Sequence, residues 1–334
     1  MNINIFASIT AVLLATTVLA TPLAPSYALT NCTFTVVETT MTLDNDCTTD
    51  ETILVPDGFT LDGAGNTITA VDPASGHFLG AVVKNGGTTA DVTDLVVNAS
   101  ALANVCDDPV PDNRLRGILF DGASGSIVGN TVMNINQGAS GCQEGNAIEV
   151  RNAPFDGTHP NTLSVLIRNN VVTDYQKSGI VANGDVSVVI RNNQIGSSAT
   201  QANLAANSVQ LGFGAEGVVK NNNISGNQWC GPSDFAATAV LVFAAANGSD
   251  ISQNNIGGNS DIGIYGFGDS LKINNNRVFD DASIADCNVN GHDIGIGDFG
   301  AGNSITNNKV RGFDLPYDFE DPGEIGNNKV IPSN

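Results

Sequence analysis

The stretch "SVVIRNNQIG", from Ser187 to Gly196, has a near copy 23 residues earlier in "SVLIRNNVVT", from Ser164 to Thr173. Both copies are apolar runs that end in a basic residue and two asparagines. Self-similarity at this distance indicates a chain built from structural repeats. We therefore expect further copies of this unit elsewhere in the sequence.

The repeated unit reads apolar, any, any, Asn, any, apolar, and its asparagines are 20 to 40 residues apart. Upstream, "LDGAGNTI" places Asn66 in the same slot. The copies are "IVGNTV" (127–132), "IRNNVV" (167–172), "IRNNQI" (190–195), "VKNNNI" (219–224), "ISQNNI" (251–256), "INNNRV" (273–278), "ITNNKV" (305–310) and "IGNNKV" (325–330).

A second alternating stretch precedes most of these asparagines by roughly 13 residues, as in "GILF" from Gly117 and "GIVA" from Gly179. Each unit thus predicts a short strand, a turn, and a second strand that reaches the asparagine and bends into a third. Strands this short, without crossover helices, favour a solenoid of parallel β-strands. Its layers would lie about 4.8 Å apart.

The recurring asparagine has a structural explanation. It tolerates left-handed backbone geometry at a sharp bend, and its amide can hydrogen-bond to the equivalent amide in the layers above and below. We therefore interpret these side chains as scaffold and not as catalytic groups: Asn130, Asn170, Asn193, Asn222, Asn254, Asn276 and Asn308.

These repeats resemble the right-handed parallel β-helix superfamily, the pectate-lyase-like fold whose turns carry asparagine ladders. The resemblance covers roughly residues 50–331 and implies an all-β, right-handed parallel β-helix solenoid of about ten coils over 51–334. It also implies that residues 29–50 form a small disulfide-closed N-terminal cap over the open end. The fold hosts lyases, hydrolases, epimerases, adhesins and tailspikes, so the resemblance leaves the function open.

Composition limits the partners of the chain. It carries 34 acidic residues against 13 Lys and Arg, for a net charge of −21, which argues against nucleic acid and leaves carboxylates that could bind Ca²⁺. The apolar run Phe6–Ala20, followed by "SYA" at Ser26–Ala28, predicts a signal peptide over residues 1–28. We therefore expect a secreted protein, monomeric and free of the membrane after cleavage.

Six cysteines in an exported chain indicate three disulfides. Sequence alone leaves every pairing open. We expect neighbours to pair in order, as Cys32–Cys47, Cys106–Cys142 and Cys230–Cys287. The last four cysteines fall in long loops between coils, and such loops would leave walls around a groove near Lys177.

Charged side chains cluster on the outward positions predicted to line this groove. A carboxylate beside cations on neighbouring layers suits proton abstraction next to a uronate carboxylate, because a cation lowers the pKa of the C5 proton and a base removes it. The alternative is a surface ion pair between Glu149 and Lys177. The candidate catalytic residues are Glu149, Arg151 and Lys177, with Arg116, Asp121 and His159 in support.

A second set of residues is predicted to bind substrate. Arg168, Arg191 and Lys220 occupy one slot on three successive coils, where stacked like charges need an anion beside them, either a ligand or a protein carboxylate. Asn183 and Gln210 lie on the outward row of the groove, and Trp229 offers a ring for a sugar.

The sequence therefore predicts a carbohydrate-active protein with a polysaccharide or glycan as its partner. The leading hypothesis is a lyase that cleaves an acidic, uronate-containing polysaccharide by β-elimination. The alternatives are a non-catalytic glycan- or cell-wall-binding protein, and a glycoside hydrolase or C5-epimerase. Signature elements of polygalacturonases, alginate epimerases and pectate lyases are incomplete or absent.

Overall fold

A computed structural model describes residues 30–332, except for 101, 104, 108–109, 138–141, 157, 159–161, 199–203, 282–286 and 288–290. The predicted signal peptide lies outside the described residues. Within them, one short 3₁₀ turn, Pro111–Asn113, is the sole helical element, and no helix is long and apolar enough to span a bilayer.

The chain winds into coils of three strands, and equivalent strands stack in parallel register into three sheets. The first sheet consists of Ile53–Val55, Ala81–Asn85, Arg116–Asp121, Asn146–Asn152, Ser178–Gly184, Asn207–Gly212, Thr238–Phe243, Ile262–Gly266 and the first parts of Ile294–Thr306 and Leu315–Gly326. The second sheet consists of Thr40–Leu43, Phe59–Asp62, Thr89–Thr93, Ser124–Val128, Leu163–Arg168, Val186–Arg191, Glu216–Lys220, Asp250–Ser252, Lys272–Asn274 and the later parts of those two long strands.

The third sheet is the shortest in strand length. It consists of Cys47–Thr49, Thr67–Ala70, Val96–Asn98, Thr131–Met133, Val171–Thr173, Gln194–Ile195, Asn223–Ser225, Asn255–Gly257, Arg277–Phe279, Lys309–Arg311 and Lys329–Val330. The ten strands of the first sheet confirm the prediction of a parallel β-helix of about ten coils.

The core runs down the axis of the coil as columns of β-branched side chains. In the first sheet, Ile118 aligns with Ile148 and then with Ile180, and all three are fully buried. The second sheet repeats this with Ile127, Ile167 and Ile190. Each buried side chain contributes about 2 kcal/mol from the hydrophobic effect. The apolar positions of the repeat therefore hold the coils together.

The asparagine ladder is present as predicted. The Asn170 amide nitrogen Nδ2 donates to Asn193 Oδ1 at 3.0 Å and to the Ile127 carbonyl at 2.9 Å, while its backbone N–H donates to the same Asn193 oxygen. The pattern continues through the buried side chains of Asn130, Asn170, Asn193, Asn222, Asn254, Asn276 and Asn308.

One expectation about the ladder was wrong. The left-handed residue is not the ladder asparagine itself but the residue immediately before it, such as Asn169 (φ 57°), Asn192 (φ 56°) and Asn221 (φ 56°). This preceding residue makes the bend, which turns the next side chain inward, where its amide meets the adjacent coils. The second asparagine of "RNN" is therefore the ladder residue, and the first is the turn.

The N-terminal end is covered as expected. Strand Phe34–Val37 pairs antiparallel with Thr40–Leu43, and the Cys32–Cys47 disulfide closes this hairpin. Parallel pairing already begins at Thr40–Leu43, which aligns with Phe59–Asp62. The outer strand of the hairpin therefore shields the edge of the first coil.

The two other disulfides join Cys106 to Cys142 and Cys230 to Cys287, so the cysteines pair in the expected order. Each connects two loops that leave the third sheet on successive or nearby coils. The loops rise beside the first sheet and bound the candidate site described below.

Candidate functional site

Two adjoining cavities form a groove along the outer face of the first sheet. The larger, of about 620 Å³, and the smaller, of about 360 Å³, share Gln143 and Lys177 in their linings. Both volumes are in the range of small-ligand sites. We call the smaller cavity, lined by Arg116, Glu149 and Arg151, the charged half. We call the larger cavity, which contains Phe243 and Tyr265, the aromatic half.

A buried ion pair forms the floor of the charged half. Arg116 Nε donates to Glu149 Oε2, and the two side chains are only 3% and 4% exposed. Asn146 Nδ2 also donates to Glu149 at 3.0 Å, and a second nitrogen of Arg116 donates to the Arg114 carbonyl at 2.8 Å. Because both charges are neutralised and hydrogen-bonded, this pair fixes the shape of the site.

Arg151 lies on the next outward position of the same strand. Its Nη2 donates to Asp112 Oδ1 at 2.6 Å and to Asp121 Oδ2 at 2.8 Å, and Lys84 Nζ donates to Asp121 at 3.3 Å. Burial alone would raise the pKa of Asp121, but its bonds to Arg151 and Lys84 hold that pKa below its ordinary value. Burial opposes the charge on Arg151, yet the same carboxylates raise its pKa. Arg151 is therefore a fixed cation of the site.

Lys177 is the unusual titratable group of the groove. It precedes strand Ser178–Gly184, where it lines both cavities, and its Nζ donates to the Ala205 carbonyl at 2.7 Å. No described carboxylate forms an ion pair with it, so the alternative pair with Glu149 is not formed. Desolvation lowers the pKa of Lys177 to about 8. Near neutral pH, an appreciable fraction of this amine is therefore unprotonated and can accept a proton.

Polar amides line the groove between these charges and the next coils. Gln210 Nε2 donates to Asn183 Oδ1 at 3.2 Å, and Asn207 Nδ2 donates to Gln210 Oε1 at 3.1 Å. Thr238 Oγ1 in turn donates to Asn207. Asn183 and Gln210 line the charged half, as the sequence indicated. Their side chains are tied to each other, which orients them towards the groove.

A row of phenylalanine rings that spans both halves of the groove was missed by sequence reasoning. A file of rings runs along the edge of the first sheet, with centroid distances of 5.9 Å from Phe155 to Phe213, 5.9 Å from Phe213 to Phe243 and 5.8 Å from Phe243 to Phe267. Phe299 continues it at 5.4 Å from Phe267. The recurrence of phenylalanine where successive first strands end, in "LGF", "LVF" and "YGF", was the available signal. We call these five side chains the aromatic ridge.

Trp229 is part of the wall of the aromatic half. Its indole N–H donates to the Ser233 carbonyl at 2.8 Å, and its ring contacts Phe235 edge-on at 5.9 Å. Trp229 is only 5% exposed, whereas Phe235 is 59% exposed. Phe235 therefore offers the ring surface at this point, and Trp229 supports it.

A histidine and a carboxylate close the mouth of the same cavity. His292 Nε2 lies 2.8 Å from Asp234 Oδ1, and both residues line the aromatic half. They belong to the two loops that the Cys230–Cys287 disulfide joins. This contact and the disulfide together hold the two loops beside the groove.

The structure brings together only part of the predicted site. Arg168, Arg191 and Lys220 align with one another as expected, but on the second sheet, away from the groove. None of the three has a carboxylate partner among the described residues. Of the remaining candidates, Asp121 contacts Arg151, and His159 lies outside the described residues.

The sequence left no cofactor certain and Ca²⁺ as one possibility, so the potential metal ligands were compared with the needs of that ion. In the described ranges, the one group of three neighbouring potential ligands is Cys106, Cys142 and Glu144, and the two sulfur atoms are bonded to each other. Glu144 instead accepts hydrogen bonds from the backbone of Asp107 and Leu115, at 3.1 and 3.2 Å. These residues do not fit a Ca²⁺ site, which requires several oxygen ligands.

One comparison with known proteins, a family match, supports the fold. The family described as "Right handed beta helix region" matches residues 158–316, and no curated protein matches the chain. Among solved structures, the Dettilon tailspike protein is 13% identical with a TM-score of 0.47, over 81% of this chain and 55% of its own. The chain thus spans about half the length of that tailspike.

A mutant of the periplasmic alginate epimerase AlgG is also similar, at 12% identity and a TM-score of 0.25, over 88% of this chain and 85% of its own. The repeats and the three stacked sheets, together with the family match over residues 158–316, lead to one conclusion: the chain folds as a right-handed parallel β-helix, and no specific enzyme family is indicated.

Proposed function

We propose that the chain is a secreted polysaccharide lyase that cleaves an acidic, uronate-containing polysaccharide by β-elimination in the groove of the first sheet. The observation that carries this proposal is Lys177, an amine with a pKa of about 8 in the wall of a groove that also holds a fixed cation, Arg151. A general base is most effective when its pKa is near the working pH.

The reaction needs a proton acceptor and a means of stabilising negative charge. The neutral Lys177 amine takes the C5 proton of a uronate residue, the C–H electron pair forms the C4–C5 double bond, and the C4–O4 bond breaks. The departing oxygen recovers a proton from the new Lys177 ammonium. The products are an unsaturated uronate and a new chain end, and no oxidant or reductant is consumed.

Arg151 supplies positive charge in a cavity that Lys177 also lines. Both of its described partners, Asp112 and Asp121, bind one nitrogen, Nη2, while its Nε has no described hydrogen-bond partner. A cation beside the uronate carboxylate stabilises the charge that develops at C5. The buried Arg116–Glu149 pair holds the floor of the site, so we assign it a positioning role.

Two further proposals concern location and assembly. Three disulfides support an oxidising compartment and hence secretion. We also propose that the protein acts as a monomer. A second candidate function, a non-catalytic glycan-binding protein, is supported by the exposed aromatic ridge and does not require Lys177 to be neutral.

The test is to incubate the purified protein with pectate, alginate and glycosaminoglycans while following the ultraviolet absorbance of unsaturated uronates. The lyase proposal expects absorbance to rise with one of these polymers and to stay flat with Lys177→Met. Retained binding without absorbance would favour the non-catalytic function. Cleavage without unsaturated ends would indicate a hydrolase instead.

A further inference from the structure

The aromatic ridge exposes more apolar surface than the fold requires. Phe155, Phe213, Phe243 and Phe267 are each 37–44% exposed, although phenylalanine is usually buried in a core. Their rings contact one another and form a continuous strip. Contiguous exposed apolar surface on a soluble protein commonly marks a binding site.

The shape of the ridge indicates a linear partner. From Phe213 onwards it has one ring on each successive coil, in single file along the helix axis. Phe155 and Phe213 line the charged half of the groove, and Phe243 and Phe267 line the aromatic half. A chain molecule lying in the groove would therefore pass over the ridge. One face of a pyranose ring presents C–H groups, which pack against the negative face of an aromatic ring.

Electrostatics separates the two halves of the groove. The charged half has a fixed cation in Arg151, and the titrating amine of Lys177 lies where the two halves meet. In the aromatic half, the carboxylates of Asp318, Asp234 and Glu320 add to burial in raising the pKa of the Tyr265 hydroxyl. These carboxylates disfavour a further negative charge near Tyr265, so a uronate placed there would be repelled.

We infer that Phe243 and Phe267, the part of the aromatic ridge in the aromatic half, bind neutral sugar residues of the same glycan whose acidic residue lies at Lys177. This inference rests on the proposed function and narrows its substrate class. The substrate is a heteropolysaccharide in which a uronate is followed by neutral sugars, and the neutral segment lies towards the C-terminal coils. A polymer made only of uronates fits the charged half and is repelled by the aromatic half.

The direct test is isothermal titration calorimetry with two sets of probes. The first set is β-1,4-linked hexaoses of glucose, mannose, xylose and galactose, and the second is hexamers of galacturonate and mannuronate. The proteins are the wild type, the double variant Phe243→Leu with Phe267→Leu, and the matched control Phe279→Leu. Phe279 lies on the third sheet, outside the groove, and leucine keeps most of the apolar volume.

We expect the wild type to bind at least one neutral hexaose, the double variant to bind it about tenfold more weakly or worse, and the Phe279 control to equal the wild type. Thermal unfolding of the double variant checks that the fold is retained. Two results would overturn the inference: failure of all four neutral hexaoses to bind the wild type, or equal binding by the double variant. A wild-type dimer that dissociates in the variant would assign the ridge to contact between copies instead.

These outcomes are separable from failure of the proposed function. Binding of neutral hexaoses without any unsaturated uronate product would support the ridge as a glycan-binding site and reject the lyase proposal. Lyase activity with no binding of neutral sugars would support the lyase proposal and reject the ridge as a site for neutral sugars. The two experiments share no readout.

Discussion

The asparagine ladder inside the coil and the groove outside it are both rows of polar residues repeated from layer to layer. They differ in whether each polar group has a matching partner. In the ladder, Asn170 meets its partner amide and a backbone carbonyl in the adjacent coils. In the groove, Lys177 has a carbonyl partner but no described counter-charge. Fully satisfied polar groups stabilise a scaffold, whereas an uncompensated amine changes its pKa and becomes reactive.

The largest expected effect is the loss of elimination activity when Lys177 in the groove is replaced. Lys177→Met should lower the elimination rate by about 10²- to 10⁴-fold, the usual contribution of a general base. Lys177→Arg should be as inactive, because its guanidinium does not give up its proton. The initial rate of unsaturated uronate formation measures both. Lys272→Met, an exposed change on the second sheet, serves as the control and should retain full activity.

The ladder should respond in stability and not in chemistry. Asn222→Ala removes an acceptor for Asn193 and a donor to the Ile190 carbonyl and leaves buried groups unsatisfied. We expect the free energy of unfolding in urea to fall by roughly 3 kcal/mol or more. Asn221→Gly is the matched control, because Asn221 is exposed with φ 56°, a geometry that glycine adopts freely. Equal losses for the two variants would contradict the assigned roles.

This contrast also explains how far the sequence could be interpreted. The ladder was predictable because one spacing rule, repeated along the chain, decides which residues turn inward. The outward row that carries Glu149 and Arg151 followed from the same alternation, and the structure places both with Lys177 in one cavity.

The sequence could not show which acidic side chain pairs with which basic side chain in the groove. Glu149 pairs with Arg116, which is 33 residues away, and not with Lys177. The aromatic ridge was missed for a related reason. Its members lie at the ends of strands or in loops of different length, so no single spacing connects Phe155 with Phe213. Contacts between coils depend on loop lengths, and a local repeat does not specify these.

The pH dependence of the reaction sharpens the comparison further. With a pKa of about 8 for Lys177, the elimination rate should rise about tenfold per pH unit below that value and level off above it, because only the neutral amine accepts a proton. A rate that falls between pH 6 and pH 8 would exclude Lys177 as the base.

The Lys177 amine should also make the free energy of unfolding depend on pH. Its folded-state pKa is lower than its unfolded-state pKa, so between about pH 8 and the ordinary lysine value the unfolded chain binds a proton that the folded chain does not. The free energy of unfolding should therefore rise with pH across this window. Urea unfolding of the wild type and of Lys177→Met at several pH values measures this slope. We expect the extra slope to be absent in the variant.

The smallest expected effect concerns the three cations on the second sheet. Replacing Arg168, Arg191 and Lys220 with Gln should leave the elimination rate unchanged, since they lie away from the groove. Binding of a polyuronate should weaken by no more than about threefold at low salt and not at all at high salt, because exposed charges are screened. A loss of binding beyond about tenfold would indicate that the acidic polymer binds to these three cations and not in the groove.

The central claim is that Lys177 is a desolvated amine poised to take a proton, and it can be tested without knowing the substrate. The chain has six lysines, and NMR titration of their side-chain carbons, with Lys177→Met for assignment, reports each pKa separately. The account predicts one lysine that titrates near pH 8 and whose signal is missing in the variant. Six lysines that all titrate at ordinary values would contradict it.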